Sequence, residues 1–169
     1  MDAESVLTLR ELVADHVHTT LYDETVQWQP PLDGALRGLT AREAAWKPGD
    51  ARHSIWQIVR HLIRWKSGVL EAWDGNPPDG ATLAAGDWVD PSGGDAAWDR
   101  DCERLLAISA EFFTRVRALD DAALSRRIVW YKGGFAQPLA MRVVRTTTHD
   151  VYHAGQIMYL RALQGIPPR

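Results

Sequence analysis

Between Pro138 and Gly165 the chain runs without a proline, and this stretch limits the fold more than any other feature. Pro138 suits the first position of a helix that reaches Gln164 and stops at Gly165, with Pro167 and Pro168 beyond. A helix of that length must bury apolar surface against other elements. His149, His153, Gln156, Leu160 and Leu163 share one face of it, while Val144, Thr147, Val151, Ala154 and Met158 lie nearly opposite. Both faces call for burial, the first toward a bundle centre and the second against another helix or another subunit. Residues four apart stack on one helix face, so His149 and His153 can each offer a ring nitrogen to a single metal ion.

Three further helical stretches precede it. From Ala3 to about Trp28, Val6, Leu9, Val13, Val17 and Leu21 recur at helical spacing, with Asp2 available as a cap, until Pro30-Pro31 ends the pattern. His16 borders that stripe and His18 lies away from it, and both read as satisfied or solvated side chains. A short turn over 32–39 leads to a capping box at Thr40–Glu43, and a second box at Ser54–Gln57 opens a strong helix to about Asp74. Its stripe is Ile55, Val59, Leu62, Ile63, Val69, Leu70 and Trp73. His61 stands at the edge of that stripe with Gln57, Trp65, Gly68 and Ala72 on its own face. The Gly68 position asks for a close approach, either of a packed neighbour or of a ligand.

Residues 75–94 are rich in Gly, Pro and Asp around Trp88 and read as a long surface excursion of the kind that borders a site. Asp95 is the expected cap of the third long helix, where Trp98, Cys102, Leu105, Ser109, Phe112, Val116 and Leu119 keep a seam to Asp120. Cys102 in such a seam is expected to be inert. Arg127–Tyr131 followed by Gly133-Gly134 reads as a short extended segment with a turn. Four long helices and no convincing sheet predict an all-α four-helix bundle, a fold that commonly builds metal sites from inward side chains.

The length of 169 residues fits one domain with a real core. A net charge of −3, from 22 acidic and 19 basic residues, lacks the basic excess of a nucleic-acid binder. The single cysteine excludes an internal disulfide framework, and no apolar run is long enough for a membrane helix. With no signal or transit pattern at the N-terminus, the cytoplasm is the expected compartment. Eight tryptophans suggest a pocket or an interface besides a core.

Two histidines alone hold a catalytic metal poorly, and His61, mid-helix beside the core, is the best third ligand. A His61, His149, His153 set leaves coordination positions open for water or substrate, as in catalytic zinc sites, and imidazole also suits nickel, iron and copper. Arg142 and Arg145 fall on the histidine face nearer the helix start, placed to attract an acidic group of a substrate or to make the salt bridges that are commoner for such residues.

The segments His53-Ser54-Ile55-Trp56-Gln57-Ile58-Val59-Arg60-His61-Leu62 and His149-Asp150-Val151-Tyr152-His153-Ala154-Gly155-Gln156-Ile157 resemble the two signatures of the DinB-like superfamily, also called the YfiT-like metal-dependent hydrolases. Leu39 through Trp46-Lys47-Pro48 is similar to the usual lead-in, so the resemblance covers nearly the whole chain. It implies an up-down-down-up bundle, usually dimeric, with His61, His149 and His153 as the metal triad. Relatives include bacillithiol transferases and a mycothiol-dependent isomerase, which implies one divalent metal, zinc or nickel, and a low-molecular-weight thiol as cosubstrate. Some relatives carry an acidic residue one turn before the first ligand; this chain has Gln57, and glutamine cannot serve as a general base.

Three functions follow as alternatives. The chain is a metal enzyme delivering a thiol or water to a small electrophile, a non-catalytic metal-binding stress-response protein of the same fold, or a helical interaction module without metal. The first is preferred, with Gln57, Trp65 and Gln156 lining the substrate pocket, a small molecule as substrate and a homodimer as the assembly.

Overall fold

The computed structural model describes residues 7–22 and 30–167. Four long helices dominate: α1 (Leu9–Tyr22), α4 (Ile55–Trp73), α6 (Asp95–Arg117) and α8 (Leu139–Leu163). Short helices α2 (Leu32–Leu36), α3 (Ala41–Ala45), α5 (Gly80–Ala85) and α7 (Asp121–Ser125) sit in the connections, with a two-stranded antiparallel hairpin of β1 (Arg127–Val129) and β2 (Ala136–Pro138) before α8.

The polar signals at the helix starts explain most boundaries. Thr40 and Ser54 close the expected capping boxes with Glu43 and Gln57. α1 starts at Leu9 behind a capping box: the Thr8 N–H donates to the Glu11 carboxylate at 2.8 Å, and the Glu11 N–H donates to the Thr8 hydroxyl at 3.2 Å. Asp2, the expected start at Ala3 and the expected end at Trp28 lie outside the described residues. Asp95 does not cap α6, whose N-cap is Gly94. Its carboxylate instead accepts the N–H of Ala41 at 2.9 Å, satisfying an orphan donor of α3. α6 ends at Arg117 rather than Asp120, and Pro138 is the N-cap residue of α8 rather than its first turn.

Contacts along the helices fix their directions. Trp56 hydrogen-bonds Asp101, Lys66 bonds Ser109 and Arg115 bonds Asp74, so α4 and α6 run parallel. His61 meets His149 and His153 while Lys66, further along α4, meets Asp150, and Trp65 shares a cavity with Arg142, so α8 runs against α4. Arg10 reaches Asp121 while His18 packs on Phe113, so α1 runs against α6. The result is an up-down-down-up four-helix bundle around Val17, Val59, Leu62, Phe112, Val143 and Ile157.

A parallel α4–α6 pair needs a connection that travels back the length of the bundle. Residues 74–94 make that return, and α5 forms where Asp79 caps Thr82. The connection lies tight on α4 at Gly68, where a β-carbon would stand 3.3 Å from Pro78 Cγ and 3.4 Å from Leu83. The close approach predicted at Gly68 is therefore made by packed protein. At the far end Arg161, fully buried, donates to the carbonyls of Ala35, Arg37 and Pro167 and ties α2 to the end of α8.

Candidate metal centre

α4 presents His61 about two turns from its Ser54 cap, and α8 presents His149 and His153 one turn apart, so antiparallel packing brings the three rings together. The Nε2 atoms of His61 and His149 are 3.0 Å apart, as are those of His153 and His149. One ring nitrogen from each lies within 4.8 Å of the others. His61 and His153 are buried and His149 is half-buried.

Second partners set the orientation of two rings. Both oxygens of Asp87, on the return connection, lie 2.8 Å from His61 Nδ1. A carboxylate accepts, so Nδ1 carries the proton and Nε2 offers its lone pair inward. Gln156 does the same one turn beyond His153: its Oε1 accepts from Nδ1 at 2.7 Å, and its amide nitrogen donates to the Tyr152 hydroxyl at 2.9 Å. Burial, then the neighbouring His61 and Lys66, depress the pKa of His149 to about 4. Burial, then His149 and His61, bring His153 to about 3. His61 is lowered by burial against the opposing pull of Asp87. All three are neutral near pH 7, the protonation state a metal requires.

The donor set fits a divalent cation. Two nitrogen ligands at about 2.05 Å from a common tetrahedral centre stand about 3.3 Å apart, close to the 3.0 Å of the His61–His149 and His149–His153 pairs. With a cation between them, the three rings form a three-nitrogen cradle with positions open for further ligands.

Trp88 closes the cradle on the side of the return connection. Its ring stacks on His61 at 4.3 Å between centroids and on His53 at 3.7 Å. Its backbone stands at φ 62°, a costly angle for a bulky residue, held by the carbonyl's bond from Gln57 at 2.6 Å. Gln57 is buried, with its oxygen accepting the Ser54 N–H at 3.0 Å and its amide nitrogen donating to Trp88 and to Asp90 at 3.0 Å. Its amide is committed to holding the connection. Trp65 and Gln156 do face cavities. Trp65 lines one of about 310 Å³ with His61, His149, Trp130, Arg142 and Arg145. Gln156 lines another, outside the cluster, with His53 and Tyr152.

Beneath the cluster, Lys66 and Asp150 form a fully buried ion pair at 2.8 Å, and Lys66 also donates to Ser109, joining α4, α6 and α8. Burial drives the Asp150 carboxyl pKa up, and Lys66 opposes it. Sequence reading missed this pair, although Lys66 stands within the apolar stripe between Leu62 and Val69, a position where a charge must find a partner. Asp87 was missed too, for the connection has no periodicity from which its direction could be read. Cys102 is half-buried, with burial and nearby carboxylates pushing its pKa up to about 12, and is not among the cluster's neighbours. His18 packs against Tyr22 and Phe113, and His16 also lies apart from the triad.

The fold and site together define a class: a four-helix bundle of up-down-down-up topology built around three neutral histidines. The model of the DinB superfamily matches residues 24–157, and the chain belongs to that superfamily, as the histidine-bearing segments indicated. Two solved structures share the fold. A conserved protein from Enterococcus faecalis is 18% identical, with 95% of this chain and 98% of that one covered at a TM-score of 0.59. YfiT from Bacillus subtilis, described as a probable metal-dependent hydrolase with an unusual four-helix bundle topology, is 13% identical over 99% of this chain and 94% of its own, at a TM-score of 0.61. No curated protein matches the chain. Among the described residues no helix is long and apolar enough to cross a membrane.

Proposed function

We propose that the chain is a metal-dependent enzyme that transfers a low-molecular-weight thiol to a small electrophile, with His61, His149 and His153 holding one divalent cation, zinc or nickel. The convergence of three neutral ring nitrogens, with His61 and His149 at the wall of a cavity, carries this reading. When bound, such a cation supplies Lewis acidity, lowering the pKa of a thiol or water beside it and polarising an electrophile.

The chain's own residues do the rest. Asp87 and Gln156 fix the ring orientations, and Trp88 shields His61 from bulk water. Among the described residues no cysteine stands beside the cluster, so the attacking group arrives from solution. Asp87 accepts from His61 Nδ1 and from Trp65 Nε1 at 2.8 Å and serves to orient those rings, and Gln57, one turn before His61, cannot act as a general base toward water. A thiol needs less help near neutral pH, and this favours transfer over hydrolysis. In the reaction the sulfur bonds to the electrophilic carbon, the carbon–halogen or epoxide carbon–oxygen bond breaks, and the thiol proton passes to solvent or to the opened oxygen. Hydrolysis is the second reading, supported by the description of YfiT. A homodimer in the cytoplasm, where such thiols stay reduced, belongs to the same proposal.

The test is consumption of a haloarene or an epoxide with and without a panel of cellular thiols. Turnover that requires thiol and is lost in His153→Ala, with helical content retained, is the expected result. Turnover that survives the substitution overturns the reading, and equal turnover without thiol transfers it to hydrolysis.

A further inference from the structure

For the two arginines near the start of α8 the sequence left two roles, attracting an acidic group of a substrate or making the commoner salt bridges, and among the described residues they make no salt bridge. Elsewhere arginines do find carboxylates: Arg60 pairs with Asp101 at 2.9 Å and Arg115 with Asp74 at 2.6 Å. Arg142 is half-buried, its guanidinium carbon lies 4.7 Å from the centroid of Trp130, and its Nε is buried without a hydrogen-bond partner. Arg145 donates to the side-chain oxygen of Gln137, whose own amide nitrogen is likewise buried and unpartnered. Arg142 Nε and Gln137 Nε2 are thus two buried donors without acceptors. A buried Nε without an acceptor is costly to keep, and burial, then Arg145, push the Arg142 pKa down.

Both arginines open on the cavity of about 310 Å³ that also contains His61 and His149. Its charged surroundings are Arg142, Arg145 and Lys66 against Asp87 and Asp150, and both carboxylates are already engaged, Asp87 by His61 and Trp65 and Asp150 by Lys66. The Trp65 and Trp130 rings, 5.4 Å apart, supply an apolar wall. Arg145 precedes His149 by one helical turn and Arg142 by two, which places the cationic end about 6 to 10 Å from the cluster along the helix axis.

We propose that this cavity is an anion subsite in which Arg142 and Arg145 hold the carboxylate of a small substrate, whose flat apolar body lies against Trp65 and Trp130 and whose far end reaches the three histidines. The arginine fork matches a carboxylate, and the cavity admits a body about the size of one aromatic ring. The reactive electrophile is therefore a carboxylic acid in its ionised form. The substrate role rests on the metal reading above; the anion site itself does not.

The test is calorimetric titration of the untagged protein with benzoate and with benzamide, its neutral match, on zinc-loaded and on chelator-treated samples. Benzoate is expected to bind both samples at least tenfold more tightly than benzamide. Arg142→Gln and Arg145→Gln should each weaken benzoate by roughly tenfold to hundredfold, the range for hydrogen bonds to a charged group, and leave benzamide unchanged. Arg145 is exposed, so its variant keeps the test intact if Arg142→Gln melts early. No saturable benzoate binding at tens of millimolar, equal binding of benzamide, or unchanged benzoate affinity in the variants overturns the subsite. Benzoate binding that needs zinc overturns it too, because the carboxylate then sits on the cation. Metal content measured on the same samples reports separately on the metal reading.

Discussion

At the residue scale, Asp87 decides how His61 presents its ring. Replacing it with asparagine keeps the shape but removes the charge that orients and strengthens the imidazole, so zinc affinity should fall about 10- to 100-fold in a competition titration. An unchanged affinity would mean the ring is held by Trp88 alone. The depressed histidines give a second expectation. In the folded, metal-free protein His149 and His153 stay neutral to about pH 4 and about 3, whereas the unfolded chain protonates them near 6.5. Across that window the unfolded state binds more protons, so stability falls as pH drops from 6.5 toward 4. Chelator-treated protein should melt at decreasing temperature over that range, and His153→Ala should show a shallower slope; equal slopes would contradict the burial of the ring. The three histidines were legible because helical spacing converts sequence into direction. The lack of carboxylate partners for Arg142 and Arg145 was not, since it depends on what other elements bring to the wall.

At the element scale, the bundle is braced where α4, α6 and α8 share Lys66, Asp150 and Ser109. Truncating one member strands a buried charge, so Lys66→Met should cost about 3 to 5 kcal/mol in denaturant unfolding. A loss under about 1 kcal/mol would show that water enters the pair. The capping boxes at Thr40 and Ser54 were readable as short motifs tied to an apolar run. The box at Thr8–Glu11 has the same form, yet Val6 continues the apolar spacing upstream, so the pattern alone did not single it out. The return connection was visible in its length and composition, but α5 and the aim of Asp87 were not, because short segments take their shape from the surface they pack on.

At the scale of the whole molecule, the last helix leaves apolar surface uncovered, though not quite where its pattern placed it. Val151 and Met158 are half-buried, while Tyr152, Tyr159 and Leu163 are 61%, 66% and 48% exposed along one side of α8. Leu163 was expected to face inward with the histidines; it is instead exposed on the side of Tyr152 and Tyr159. This stripe is the surface a homodimer would cover. Light scattering at micromolar concentration should give twice the chain mass, and Tyr159→Glu should give the monomer; a monomeric parent protein would refute the assembly. The cation should also stabilise the whole fold, by about 4 kcal/mol at a thousandfold excess over its dissociation constant. The account stands on the three-histidine centre, and metal analysis of untagged protein reconstituted with zinc or nickel tests that centre most directly. One equivalent per chain, lost in His61→Ala and in His153→Ala with helicity preserved, is the predicted result. Metal well below one equivalent, or metal retained in both variants, would contradict it.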